Sequence, residues 1–173
     1  MGADSCGAWV EDGSYQLVVN PKTFIVDNRF LIGCTTSFRM IDLLRFSLTV
    51  PKRTPTTSDD DKYIRTSFVN AVRKLFSTSG FMTRDREDGV ENGGNFLVGY
   101  NSRLYEVQDD FSVLNLADWG HAIGCGGEPA RGSLHTTRDS GLDPEQRILA
   151  ALRAAEATTM GVRGPFINLA LPA

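Results

Sequence analysis

The run Phe30-Leu31-Ile32-Gly33-Cys34 constrains this chain more than any other feature. No polar side chain interrupts it. Side chains of a strand alternate between its two faces, so a strand apolar on both has to be covered on both. A short β-rich run, Thr23 to Asp27, precedes it, and Asp27-Asn28 between them is a turn signal. The pair reads as a hairpin whose second strand lies between layers.

The period then changes. Thr35, Thr36 and Ser37 offer N-caps, and in Phe38 to Leu48 the polar residues Arg39, Asp42 and Arg45 recur every third position among apolar ones. This predicts a helix with a narrow wet stripe and most of its circumference buried, stopped by Pro51. After the polar loop Pro51 to Asp61, a helix from Lys62 to about Ser77 presents Ile64, Phe68, Ala71, Val72, Leu75 and Phe76 on one face. Its acidic neighbours Asp59 to Asp61 sit where a helix dipole favours negative charge. A charged, glycine-rich loop, Thr83 to Gly94, follows.

Strand signals return. Phe96 to Tyr100 and Arg103 to Val107 flank the hairpin dipeptide Asn101-Ser102, and Phe111 to Leu116 and His121 to Cys125 add β-character. Gly124-Cys125-Gly126-Gly127 leads into a helix from about Glu128. A last helix starts at Asp143 as N-cap with Pro144 behind it, and Ile148, Leu152, Ala155 and Thr159 mark its inner face. Phe166 to Leu171 reads as a terminal strand. Strands, two helices, strands, two helices and a strand describe an α+β fold with layered packing, one domain spanning residues 1–173.

Composition narrows function. The chain is 41% hydrophobic and 23% charged with net charge -3, which leaves no cationic excess for nucleic acid. An odd set of 3 cysteines argues against a disulfide framework and for a reducing compartment, so the expected location is cytoplasmic. His121 and His135 show no ligand spacing, so neither a metal nor another cofactor is expected. No apolar run reaches the roughly 20 residues of a membrane helix. The glycine turn at Gly124 lacks the Lys and Ser/Thr that a phosphate-binding loop places after it.

The element order, together with Gly2-Ala3-Asp4-Ser5, Pro21-Lys22-Thr23-Phe24, the Phe30 to Cys34 run, Ala122-Ile123-Gly124-Cys125-Gly126-Gly127 and the closing Phe166 strand, resembles the proteasome β-subunit and HslV family of N-terminal-nucleophile hydrolases. The resemblance covers the whole chain. It implies a four-layer αββα sandwich, homo-oligomeric rings, a possible partner ATPase unfoldase, and unfolded polypeptide or peptide as substrate. In that family an N-terminal Thr is nucleophile and, through its α-amine, its own base, with a Lys lowering proton affinity nearby and an Asp pairing with the Lys. The Lys matches Lys22 and the Asp matches Asp4. The Ser of the glycine-flanked turn matches Cys125, a departure, and the polar groups before the family's last strand fall around Met160 to Arg163 without matching. Residue 1 is Met, so the resemblance implies a domain lacking its N-terminal nucleophile strand: either a threonine-type peptidase whose start lies upstream, inactive as the chain stands, or a non-catalytic ring-forming or assembly protein.

Read from the residues alone, Lys22 is an exposed strand-end lysine, Asp4 a turn cap, and Cys125 either a small apolar residue or a thiol whose pKa is depressed at a helix N-terminus. Ser5 and Cys6 become N-terminal nucleophiles only if the chain is cleaved before them.

Overall fold

A computed structural model describes residues 1–9, 14–54, 59–84, 91–116 and 119–172. Parts of both expected polar loops, residues 55–58 and 85–90, lie outside them. The all-apolar run is strand β5 (Phe30–Cys34), and it pairs with β4 (Thr23–Val26) as an antiparallel hairpin. Asp27 and Asn28 both take positive φ, 51° and 52°, the twist a two-residue hairpin requires. Asn101 and Ser102 do the same, at 46° and 59°, between β8 (Phe96–Tyr100) and β9 (Arg103–Val107). With β10 (Val113–Asn115) these strands form one antiparallel sheet in the order β10-β9-β8-β5-β4.

Alternation divides the sheet's side chains. Phe30, Ile32, Phe96, Val98, Tyr105 and Val107 face one way into the larger apolar cluster. Leu31, Leu97 and Leu104 face the other way, with Gly33 and Gly99 between them. Helix α1 (Phe38–Phe46) covers the first face; the Ser37 hydroxyl caps it by accepting from the Met40 N–H at 3.3 Å. It ends earlier than the sequence predicts. Met40, Ile41, Leu43 and Leu44 are buried, but Phe46 is 72% exposed, so the wet face is wider than a single polar stripe.

The second expected helix runs from Asp60 to Thr78 in three parts: α2 (Asp60–Tyr63), a π-helical stretch (Ile64–Phe68) and α3 (Val69–Thr78). Ile64, Phe68, Val72 and Phe76 are all fully buried. Their strict four-residue spacing drifts about 40° per step around an ideal α-helix. The wider π turn slows that drift where Ile64 and Phe68 meet the sheet. Phe30 stacks on Tyr100 at 4.5 Å and on Phe68 at 5.0 Å, binding helix to strand.

A second set of strands is short. Met1 to Ser5 runs antiparallel to the closing segment: the Met1 amine donates to the Leu169 carbonyl at 2.7 Å, β1 (Gly2–Ala3) pairs with β11 (Ile167–Asn168), and the Ser5 N–H donates to the Arg163 carbonyl at 2.9 Å. The expected terminal strand thus contracts to Ile167–Asn168. β2 (Cys6–Trp9) and β3 (Ser14–Leu17) add a hairpin that the sequence pattern does not announce, because every β3 side chain is exposed. β6 (Thr83–Arg84) and β7 (Glu91–Asn92) make a small separate ladder.

Helices α4 (Gly127–Thr136) and α5 (Pro144–Thr158) form a separate smaller apolar cluster. Asp143 and Gln146 make a reciprocal capping box. The buried face of α5 is Ala151 and Ala155, with Ile148 and Leu152 half-buried; Thr159 is the C-cap, not an inner-face residue. The expected β-character at His121 to Cys125 is not found. Gly120 and Gly124 take φ of 112° and 90°, and Arg131 takes the Ala122 carbonyl at 2.9 Å, so the segment is an irregular strap. Among the described residues no helix is long and apolar enough to cross a membrane.

The start of α2 is clamped to the sheet. Asp61 accepts from the Tyr105 hydroxyl at 2.8 Å, from Arg103 at 2.9 Å and from the Asn115 amide at 3.2 Å. The Tyr105 hydroxyl, followed by Arg103 and Asn115, holds the Asp61 carboxyl below the usual range. A depressed folded pKa adds stability that is present above the unfolded value and lost as pH falls through the folded one. Asp61→Asn is therefore expected to lower the thermal midpoint at pH 7, and the gap from the parent should close as pH drops below the ordinary aspartate range. Thermal melts across that range check it; a pH-independent gap would contradict it.

Candidate active site

Asp4 and Lys22 meet. Lys22 Nζ lies 2.8 Å from Asp4 Oδ1, with the two side chains 15% and 14% exposed. Asp4 Oδ2 accepts from the Cys6 N–H at 2.8 Å, so both carboxylate oxygens are engaged. Lys22 is held by the ladder, its carbonyl accepting from the Cys34 N–H at 2.9 Å. Ser5, next to Asp4, is fixed by donating to the Pro165 carbonyl at 2.6 Å. A nucleophile role for Ser5 thus starts from a buried, occupied hydroxyl.

The pair borders a cavity of about 330 Å³ between the outer face of the five-stranded sheet and α4–α5. Cys125 lies on its rim, exposed, one residue before the N-cap of α4. The cavity therefore brings together the three positions singled out by the sequence, Asp4, Lys22 and Cys125. The other thiols differ. Burial, with the Asp4 carboxylate behind it, raises the Cys6 pKa, and burial pushes Cys34 far above the ordinary range. Both are poor nucleophiles.

Three features at or beside the cavity wall escaped sequence reasoning. His121 Nε2 lies 3.0 Å from Glu106 Oε2, and Asn95 donates to Glu106 Oε1 at 2.9 Å, so the strap is tied to the sheet through a buried carboxylate. Glu106 sits at an outward-facing β9 position, and only the alternation of Tyr105 and Val107 hints at it. The second feature is Thr36. The Ser37 N–H donates to the Thr35 carbonyl at 2.8 Å, closing a three-residue turn with Thr36 at φ 70°. A β-branched residue there is strained, and the strain sits where the wall passes from β5 to α1. Third, the Met1 side chain fills the space over Gly33: its Sδ sits where a Cβ on Gly33 would have to go. The Met1 amine, also at the cavity, has its pKa lowered by burial. Among the described residues, no group of three or more His, Cys, Asp and Glu side chains is placed to hold a metal ion.

The five-stranded sheet with helices on both of its sides is a mixed α/β fold. Solved structures of the HslV and proteasome type share it. Thiobacillus denitrificans BPH superposes with a TM-score of 0.75 at 17% identity, over 96% of this chain and 88% of that one. Eukaryotic HslV from Trypanosoma brucei gives 0.63 at 19% identity over the same shares. Anbu, the ancestral beta-subunit, from Yersinia bercovieri gives 0.59 at 11% identity, over 95% of this chain and 73% of that one. One BPH structure was solved in complex with epoxomicin. No protein-family model and no curated protein matches the chain.

Lys22→Met is expected to lower the unfolding free energy by about 2 kcal/mol, because it leaves Asp4 shielded and missing its cation. The double variant with Asp4→Asn should cost less than the two single losses added together, which denaturant unfolding of the four proteins measures. Thr36→Gly should act the other way and stabilise by about 1 kcal/mol, since glycine takes positive φ without strain. A destabilised Thr36→Gly would mean that Thr36 side-chain contacts outweigh the backbone.

Proposed function

We propose that this chain is the scaffold of a threonine-peptidase-type subunit of a self-compartmentalising protease, working as a homo-oligomeric ring in the cytoplasm on unfolded polypeptide, with an ATPase unfoldase as possible partner. The single observation that carries the reading is the Asp4–Lys22 pair at 2.8 Å, shielded and facing the cavity beside residue 1. The short strands β1, β2, β3 and β11 stand for the second sheet of a four-layer αββα sandwich, between the large sheet and α4–α5.

The chemistry such a site performs is acyl transfer. The Oγ of an N-terminal threonine attacks the scissile carbonyl carbon while its α-amine takes the hydroxyl proton. The C–N bond breaks, the proton passes to the departing amine, and water then hydrolyses the ester. Lys22, paired with Asp4, supplies the positive charge that disfavours protonation of that amine. Cys125, at the rim, is placed to line the site.

Residues 1–173 hold the Asp4–Lys22 pair of such a site, and the first threonine among them is Thr23, inside β4. A second reading, a non-catalytic ring-forming or assembly protein, draws on the same place: the Met1 thioether packs over Gly33 and its amine is bonded to Leu169, so the position is occupied by structure.

Fluorogenic peptides separate these. Residues 1–173 should give no turnover. A form carrying an N-terminal threonine strand should give turnover sensitive to a threonine-directed inhibitor, and Lys22→Ala in that form should abolish it. An extended form that assembles but stays inert would favour the non-catalytic reading. Inhibitor-sensitive turnover by residues 1–173 would overturn the assignment and redirect attention to Ser5, Cys6 or Cys125.

A further inference from the structure

Away from the cavity, one dipeptide carries chemistry of its own. Asn92-Gly93 is the single Asn-Gly in the sequence. A glycine after asparagine leaves the next backbone nitrogen uncrowded and its dihedrals free, so that nitrogen can reach the asparagine side-chain carbonyl carbon. The Gly93 nitrogen then attacks Asn92 Cγ and gives up its proton, the Cγ–Nδ2 bond breaks, and ammonia leaves a five-membered succinimide. Water opens the ring to aspartate or, with the backbone rerouted through the side chain, to isoaspartate. A water is consumed and an ammonia released, with no change of oxidation state.

Asn92 stands exposed at the end of β7, paired with Thr83 of β6. Gly93 is buried, and its N–H donates to the Asp109 carbonyl at 2.7 Å. The Phe111 ring lies directly over it: a Cβ on Gly93 would collide with that ring. A tight turn sets the ring there, with Phe111 at φ 66°, a strained conformation for a bulky residue. The Gln108 N–H donates to the Ser112 carbonyl at 2.8 Å, and the Asp110 carboxylate accepts from the Ser112 N–H at 2.8 Å and from its hydroxyl at 2.9 Å. The ring also meets Phe76 of α3, with centroids 6.2 Å apart. A reactive side chain thus stands in water while the nitrogen that would attack it is bonded and covered. The cover is a surface turn holding a strained residue, and such segments open at lower free energy than a core does.

We propose that Asn92-Gly93 is a self-modification site with the Asp109–Phe111 turn as its guard: deamidation is held back while Phe111 covers Gly93 and proceeds when the turn opens. The product alters its surroundings. A new carboxylate arises beside Glu91, whose own carboxylate accepts from Arg73 of α3 at 2.7 Å. Isoaspartate lengthens the backbone at the Thr83–Asn92 rung. Each deamidated chain thereby records that its turn has opened. The cavity and the peptidase chemistry take no part.

The test incubates the chain at mildly alkaline pH, folded and in urea, and follows the residue-92 peptide by mass spectrometry together with free ammonia. Asn92 should convert at least about tenfold more slowly in the folded chain, and the Gly93 N–H should exchange more slowly by at least the same factor. Phe111→Ala should raise the folded rate at least about tenfold, whereas Phe111→Leu, which keeps an apolar cover, should stay near the parent. Phe166→Ala, against the separate α4–α5 cluster, lowers stability without touching the turn and should leave the rate within about twofold of the parent. The proposal is overturned if Asn92 converts equally fast folded and unfolded, if Phe111→Ala and Phe166→Ala accelerate it alike, or if ammonia comes from other amides while Asn92 stays intact in urea. Should Phe111→Ala fail to fold, the folded-to-urea ratio and the Gly93 exchange of the parent decide alone.

Discussion

A sheet apolar on both faces cannot stand against water on either, and the rest of this molecule is arranged around that requirement. β5 and β8 lie at the sheet's centre, and each gives alternate residues to opposite sides. On one side the solution is complete. Phe30, Phe68 and Tyr100 lock ring against ring, and aromatic pairs in this geometry add about 0.5–1.5 kcal/mol each beyond the area they bury. On the other side the cover is partial, and that is where polar groups gather. The candidate site and the incomplete packing share one surface, since a site must leave room for something else.

Polar groups on that side are held by neighbouring elements. The Asp4–Lys22 pair lies between two ladders, one fixing Lys22 through Cys34 and one fixing Ser5 through Arg163. The strap from Trp119 to Gly126 is tied at three points: Arg147 to the Trp119 carbonyl, His121 to Glu106, and Arg131 to the Ala122 carbonyl. Each tie comes from a different element, so the strap's position reports on the sheet and on both outer helices.

The sequence revealed most where one physical rule dominated. The two hairpins were legible because Asp27-Asn28 and Asn101-Ser102 tolerate positive φ; the α5 cap was legible because Asp143 and Pro144 have few other uses. Lys22 and Asp4 were reached through a resemblance, not through spacing, since two residues so far apart in sequence give no local signal. Elsewhere tertiary structure overrode the pattern. His121 to Cys125 reads as a strand, but Arg131 of α4 claims the Ala122 carbonyl that a ladder would have used, and Arg147 of α5 holds the Trp119 carbonyl just before it. The β2–β3 hairpin was invisible because its second strand buries nothing. The end of α1 was misjudged because Phe46, apolar by type, points to water.

The order of the strands also governs how the molecule is put together in time. The β4–β5 and β8–β9 hairpins join residues close in sequence, and such ladders close within microseconds. The rung between Cys34 and Phe96 is different: α1, α2 and α3 all lie in the loop it closes. That loop's entropy has to be met before the central rung returns any energy. The two hairpins are thus ready-made halves, and their union at β5–β8, seated on the helices between them, is the slow event.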